Sequence, residues 1–352
     1  MNQVPAHFSA RRAPAIDVCV VGELNLDLIL YGLPRELESD REVLAKDMKL
    51  TLGSSSAIFA HNLSALGTSV GFIARIGDDS LGESAVGRLG EAGVDVRRMV
   101  RGAGGTPTGL TIVVPHGSGR YILTYPGAMF ELSYGDLDLE YVLNARHLHL
   151  SSYFLHRALR PRILDLFREA KRSGLTTSLD TNDDPEGRWG PDLGEVLKYV
   201  DVFLPNESEA RKAAGTEDLE RAIEHLADLS SIVVVKRGRK PAVCRRGGER
   251  WEEAPPQVAA VDDIGAGDTF DAGFIHLWLR GASLEESVRF AGIAAAYSVT
   301  REGGTEAFRD REGLGNFVRE HWRGSRDVLS LKGVRVVTAG DTFGEGGKGS
   351  RG

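Results

Sequence analysis

Val261 to Phe270 reads Val-Asp-Asp-Ile-Gly-Ala-Gly-Asp-Thr-Phe, and a helical pattern follows at once. Gly265, Ala266 and Gly267 are small enough to let backbone N–H groups converge at the mouth of that helix. A helix mouth attracts anions, because its first N–H groups lack partners and the dipole is positive there. Asp268 adds a carboxylate at the same place. A carboxylate beside an anion cradle suits phosphoryl transfer, where it orients an attacking hydroxyl and takes its proton. The plain alternative is a tight turn with a helix cap. A dinucleotide fingerprint fits less well, because Ala272-Gly273 comes too late to supply its third glycine.

Three further groups carry chemistry. Asn25 and Asp27 lie two residues apart, so a strand puts both on one face. An amide and a carboxylate there can bind adjacent hydroxyls, or they can simply meet solvent. Asn206-Glu207-Ser208-Glu209 is a helix start, with Asn206 as cap and Glu209 at its third position. The same two groups could serve nucleotide phosphates, with Glu209 holding Mg²⁺ through water. Lys236-Arg237-Gly238 closes an apolar run, at the end of a parallel strand where open α/β sheets bind ligands. Lys236 there can meet a phosphate or face solvent.

These groups need a scaffold. Val18 to Val21 is a continuous apolar run ended by Gly22, as in a buried strand. Leu24, Leu26, Leu28 and Leu30 alternate with Asn25, Asp27 and Ile29, and Val43 to Leu52 alternates again. Gly53-Ser54-Ser55-Ser56 opens a helix running to about Leu66 and stopped by Gly67. Val70 to Ile76 reads as a strand, and Ser80 to Glu91 as a helix ended at Gly93. Gly109 to Val114 and Arg120 to Tyr125 flank a hairpin signal, His116-Gly117-Ser118-Gly119. Strands at His147 to Leu150, Leu175 to Leu179, Val202 to Leu204 and Ile232 to Val235 then alternate with helices. The helices are Arg160 to Arg172, Glu207 to Ala214 and Leu219 to Leu229. A hairpin over Ala242 to Trp251 and helices at Asp268 to Leu279 and Leu284 to Thr300 complete the pattern.

That order predicts an α/β fold, a doubly wound, mostly parallel sheet flanked by helices. The alternating strands, approximately within residues 24–52 and 106–126, read as a small, half-exposed antiparallel sheet forming a lid. Residues 1–15 read as a flexible leader, and 326–352 as a mostly flexible tail with a short strand at Val334 to Val337.

Composition removes several classes of function. The 352 residues are 41% hydrophobic with a net charge of −7, and no basic stripe marks a nucleic-acid surface. The N-terminus lacks the apolar core of a signal peptide, and Val18 to Val21 is too short to span a bilayer. Cys19 and Cys244 sit in strand patterns, as buried free thiols of a reducing cytoplasm would.

Taken in order along residues 16 to 320, the motifs resemble the ribokinase-like (PfkB-type) carbohydrate kinases. Gly265-Ala266-Gly267-Asp268, Asn206-Glu207-Ser208-Glu209 and Gly22-Glu23-Leu24-Asn25-Leu26-Asp27 carry the resemblance. Ile73 to Asp79 and Gly93-Val94-Asp95 add landmarks. The resemblance implies a kinase domain over 16–325, a β lid over the acceptor, and ATP with Mg²⁺ as cofactors. It implies Asp268 as catalytic base and the amides of Gly265, Ala266 and Gly267 as the anion hole. It places Asn206, Glu209, Lys236 and Gly238 on ATP, and Asn25, Asp27, Gly53 and Ser54 on a sugar or sugar-like acceptor with a primary hydroxyl.

Three positions depart from the family pattern. Ile58 stands where an asparagine usually touches the sugar, which makes a nucleoside kinase the alternative acceptor class. Asp262-Asp263-Ile264 replaces the common Asp-Thr-Thr, leaving Asp262 for a monovalent-cation site such as K⁺. Gly292 stands where a polar residue beside adenine is common. A sensing protein that kept the fold without catalysis is a second alternative. An exposed lid edge would also favour a homodimer through the lid.

Overall fold

The computed structural model describes residues 16–34, 39–102, 104–116 and 119–325. The first half runs β1 (Ile16–Val21), β2 (Asn25–Tyr31), β3 (Asp47–Leu52), α1 (Ser55–Leu66), β4 (Val70–Ile73), β5 (Arg75–Ile76), α2 (Ser80–Glu91), β6 (Val100–Arg101), β7 (Gly109–His116) and β8 (Gly119–Tyr125). Then follow α3 (Leu139–Leu143), β9 (Ala145–Leu150), α4 (Ile163–Arg172), β10 (Thr176–Leu179), α5 (Asp192–Leu197), β11 (Val202–Phe203), α6 (Glu207–Ala214) and α7 (Leu219–Ala227). The chain continues through β12 (Ile232–Val235), β13 (Ala242–Arg246), β14 (Glu249–Glu253), α8 (Ala266–Trp278), α9 (Leu284–Ser298), α10 (Glu306–Arg309) and α11 (Arg311–His321).

Eight strands form the main sheet in the order β14-β13-β12-β11-β10-β9-β1-β4. Pairing is parallel from β4 through β12 and antiparallel at β13 and β14. Helices cover both faces, which explains the unbroken apolar run in β1. Val18 and Val20 pack in one cluster with Phe59 of α1 and Phe274 of α8. Cys19 and Val21 pack in the other with Leu166 and Phe167 of α4. Glu23, Ser152, Asp180, Asn206 and Lys236 lie within three residues of the ends of β1, β9, β10, β11 and β12. They therefore gather at the carboxyl edge of the sheet, where such folds place their ligands.

The lid is a separate four-stranded sheet, β3-β2-β7-β8. The expected antiparallel pattern is corrected at its centre, where β2 pairs with β7 in parallel. The chain leaves the lid after β3, passes through α1 and α2 in the body and returns as β7, a crossover long enough for parallel pairing. The expected half-exposure is also corrected at β2. Asn25, Leu26, Asp27 and Ile29 are all buried, with Leu26 packed in the body cluster and Ile29 against Val113 and Ile264. Strand β8 is exposed along its whole length. Residues 43–46 precede β3 instead of belonging to it, and the strand expected at Val70 to Ile76 breaks at Ala74. The helix expected from Arg160 begins as a 3₁₀ turn carrying Pro161, and the α-helix starts at Ile163. The leader, the tail and the short strand expected at Val334 to Val337 lie outside the described residues.

The middle of the sheet carries two imidazoles. His147 Nδ1 lies 2.8 Å from Thr176 Oγ1 and its Nε2 lies 2.7 Å from Ser178 Oγ. His149 continues the row from Ser178 Oγ at 2.7 Å to Ser151 Oγ at 2.7 Å. Burial first, then the Lys171 and Arg146 cations, push His147 down from 6.5 to about 3. A proton taken up by the unfolded chain below pH 6.5 is refused by the folded one until about pH 3. The neutral ring therefore supports the fold above pH 6.5, and that support fades as pH falls toward 3. Expected slope is about 1.4 kcal/mol per pH unit for one linked proton. The measurement is the difference in unfolding free energy between the parent and His147→Gln from pH 7 to pH 4.5. A constant difference would contradict the expectation. The comparison is needed because buried carboxyls at the site titrate in the opposite sense.

Candidate active site

Helix α8 opens at Gly265, which is left-handed at φ 71°. A Cβ there would lie 2.7 Å from Gly304 Cα, so close packing and conformation both demand glycine. Thr269 locks the turn by donating its N–H at 2.9 Å and its hydroxyl at 2.7 Å to Gly265 O. Asp268 is buried in the first turn. Burial and the Asp180 carboxylate push it up to about 7, against the pull of Lys236 and the Ser55 hydroxyl. A carboxyl that titrates near neutrality suits a base.

The lid strand β2 brings Asn25 and Asp27 to the start of α1. A side chain at Gly53 would collide with the oxygens of both residues, so only glycine lets the backbone pass. Ser54 takes a left-handed φ of 65° and donates to Asn25 Oδ1 at 2.6 Å. Asn25 Nδ2 donates to Thr111 Oγ1 on β7 at 2.7 Å. Asn25 thus ties the lid to the mouth of α1. Asp27 is pushed up to about 7 by burial and by the Asp268 carboxylate, against the Arg120 cation. The two acids therefore feel each other across the site.

Asn206 and Glu209 form the expected cap. Asn206 Oδ1 accepts from Ser208 N at 2.9 Å and Glu209 N at 3.0 Å, while Glu209 Oε2 accepts from Asn206 N at 2.8 Å. Burial and the Asp180 carboxylate push Glu209 up to about 7. Lys236 sits beside Asn206 through a parallel bridge. Its Nζ lies 2.9 Å from Asp180 and 2.9 Å from Asp271, which hold it charged although it is buried. The expected phosphate ligand is thus first a buried counter-ion, while it still lines the large cleft. Sequence reasoning missed both acids. The available signals were weak: Asp180 closes a parallel strand, and Asp271 lies one turn after Asp268.

The cleft measures about 480 Å³. Pro255, Val258, Phe270, Ala296 and Val299 give it an apolar wall, and Arg120, Arg237, Arg239 and Lys240 a basic rim. Ala266, Gly267 and Gly238 also line it. A flat aromatic base with a phosphate tail suits that division. Gly292 faces Pro255, where a Cβ would meet the proline at 3.4 Å, so this wall stays apolar where a polar group is common. Arg120 reaches from β8 to an ion pair with Asp263, just before the Gly265 turn. Nothing in the sequence around Arg120 marked it.

Two expectations change meaning. Asp262 Oδ1 accepts from Ile264 N at 2.9 Å, and Oδ2 from Gly303 N at 3.0 Å and Tyr31 Oη at 3.1 Å. It clamps three segments together. Ile58 is buried against Gly265 and Gly304. A Cβ at Gly304 would lie 2.6 Å from its Cδ1, and one at Gly265 would lie 3.0 Å from its Cγ2. A further missed residue is Glu23, buried after β1. It accepts from Ser56 Oγ at 2.6 Å and Ser152 Oγ at 2.8 Å, anchoring the start of α1 to the sheet edge.

Comparison with known proteins identifies the family. Residues 15–311 match the family model described as pfkB family carbohydrate kinase. The ATP-dependent ribose-1-phosphate kinase of Halopiger xanaduensis is 32% identical over 295 residues, covering 83% of this chain and 95% of that protein. Ribokinase of Arabidopsis thaliana, solved with ribose and ATP, superposes with a TM-score of 0.72 at 28% identity, over 86% of this chain and 99% of that one. Ribokinase of Thermotoga maritima gives 0.74 at 25% identity, over 86% and 99%. The chain belongs to the pfkB family of carbohydrate kinases.

Proposed function

We propose that this ATP-dependent sugar kinase phosphorylates a primary hydroxyl of a sugar or sugar-like molecule held between the lid and α8. The supporting observation is the meeting of Asp268, at a helix mouth, with Asp27 and Asn25 on the strand above it. The acceptor hydroxyl hydrogen-bonds Asp268, which takes its proton as the new O–P bond forms and the bond to ADP breaks. Backbone N–H groups from Gly265 to Gly267 stabilise charge on the transferring group. The ion pair between Arg120 and Asp263 ties the lid strand β8 to the turn before α8.

The acid set fits a magnesium ion brought by ATP. Asp180, Glu209, Asp268 and Asp271 lie around the Lys236 ammonium, and Asp271 Oδ1 is buried without a partner. Glu209 would hold the ion through water, since both its oxygens already accept from Asn206. When bound, the ion neutralises charge on the phosphate oxygens. Among the described residues, no three His, Cys, Asp or Glu side chains are placed to cage a metal without the nucleotide.

The test is ADP release from Mg–ATP over a panel of sugars, sugar acids, sugar phosphates and nucleosides. Ribose and ribose 1-phosphate come first, because relatives are named for them. No acceptor-dependent release across the panel would contradict the proposal. Asp27→Ala is expected to raise the acceptor KM by about ten-fold, the loss of one charge-assisted hydrogen bond, with the ATP KM nearly unchanged. A change confined to ATP would remove Asp27 from the acceptor site.

The proposal includes a homodimer through the lid. Tyr121, Ile122, Leu123 and Tyr125 on β8 are each at least half exposed, on an edge strand that can pair with a copy of itself. Sedimentation is expected to give a dimer at micromolar concentration, and a monomer in Leu123→Lys. A monomeric parent would contradict it. A cytoplasmic location also belongs to the proposal, supported by the buried, unpaired Cys19 and Cys244. No helix among the described residues is long and apolar enough to cross a membrane.

A further inference from the structure

A second cavity of about 170 Å³ lies where α1, α2 and the α10–α11 segment meet, apart from the cleft described above. His61, Arg88, Glu91, Thr305, Arg309 and Arg311 line it. Three guanidinium groups line it with one carboxylate, Glu91, and a second carboxylate, Glu306, lies beside Arg88. Their ion pairs are loose: Arg88 lies 3.8 Å from Glu306, and Arg309 lies 3.9 Å from Glu91. Arg311 donates to Ala65 O, and among the described residues no carboxylate lies within the 4.0 Å of an ion pair from it. Its pKa is lowered by burial alone, the mark of a cation held without a counter-charge. A half-buried cation without an anion is costly, and a tetrahedral oxyanion matches the guanidinium fork.

The cavity is wired to the active site. Asn62 Nδ2 donates to Thr269 Oγ1 at 2.8 Å and to Gly304 O at 2.9 Å, which fixes its Oδ1 as an acceptor. His61 Nδ1 therefore carries the hydrogen it shares with Asn62 Oδ1 at 2.8 Å. Nε2 of His61 has no partner among the described residues. Thr269 in turn holds Gly265 O. A short chain of hydrogen bonds thus runs from the cavity wall to the anion loop. Arg88 adds a second link, donating to Leu50 O of the lid strand β3 at 3.0 Å.

We propose that this cavity binds a small tetrahedral oxyanion, as inorganic phosphate or as the phosphate of a small monoester, and that the anion loop responds to its occupancy through Asn62 and Thr269. The binding site stands independently of the kinase reading, and only the coupling rests on it.

The experiment is calorimetric titration of inorganic phosphate into the full chain saturated with Mg²⁺ and AMP-PNP, so that the mouth of α8 is filled. Saturable binding is expected, about ten-fold weaker in Arg311→Met and in Arg309→Gln, since each removes a charge-assisted donor. Arg309 is largely exposed, so its variant guards against misfolding of the first. Ribose 5-phosphate that binds as tightly identifies monoesters as ligands, and weaker binding identifies the free ion. Binding that never saturates, or equal binding by the parent and both variants, overturns the site. AMP-PNP affinity is expected to change with phosphate in the parent beyond any change in Arg309→Gln. The same change in both overturns the coupling. Failure of AMP-PNP to bind at all counts against the kinase reading, and phosphate titration of the parent and both variants without nucleotide then still tests the cavity.

Discussion

Asp268→Asn is expected to lower kcat by roughly 10²–10⁴, the usual contribution of a positioned base. The amide keeps the shape of the side chain and accepts a hydrogen bond from the acceptor, but it cannot take the proton. ATP affinity should hold or improve, because one negative charge leaves a site that binds a polyanion. The pH profile gives an independent readout. Burial and Asp180 place Asp268 at about 7, so in the free enzyme the base is half protonated near neutrality. Activity requires the ionised form, so kcat/KM should rise with pH through about 7 and then level. Asp27 and Glu209 are also pushed to about 7, so the acid limb belongs to a coupled set. The kcat limb should lie lower, because bound Mg²⁺ favours ionised carboxylates in the ternary complex. Asp268→Asn should flatten the limb as well as lower the rate. A variant with near-normal turnover, or with the parental limb intact, would show that another group accepts the proton.

The parts of this site that the sequence displays are those confined to one short segment. The Gly265 to Asp268 turn is four residues, and its geometry depends on its own glycines. Asn206 and Glu209 are three apart, and one capping box explains why these residue types occur there. The unbroken run in β1 similarly reports two covered faces. The Lys236 cluster was hidden because its members come from β10, β12 and α8, and no local spacing relates them. The ion pair of Arg120 with Asp263 spans 143 residues and was hidden for the same reason. The parallel pairing of β2 with β7 depends on where the chain travels between them, which alternation does not encode. Helices α3, α5 and α10, with five, six and four residues, are too short to show a period, and α11 carries two glycines. Ile58 illustrates a different limit. Its position in the motif pointed at the acceptor, whereas in the fold it packs against Gly265 and Gly304.

Lys236→Met is expected to cost about 3–5 kcal/mol of stability, because removing one partner strands the other charges in the interior. Asp180 and Asp271 have side chains only 1% exposed, so water cannot take over from the ammonium. Asp271 is already raised well above its usual range by burial, with Lys236 as the main opposing influence. Without Lys236, Asp271 should bind its proton at a still higher pH in the folded state than in the unfolded one. The variant should therefore regain stability, relative to the parent, as pH falls from 8 toward the ordinary carboxylate range near 4. Chemical denaturation at several pH values measures both effects. Lys236→Met combined with Asp271→Asn should recover part of the loss, since one stranded charge is gone. Activity separates the structural role from a phosphate contact. If Lys236 serves only as counter-ion, the double variant should regain ATP affinity along with stability. If it also meets a phosphate, as its place in the cleft allows, stability should return while the ATP KM stays high. A single variant as stable as the parent would mean that the Lys236 ion pairs with Asp180 and Asp271 do not hold this edge of the sheet together.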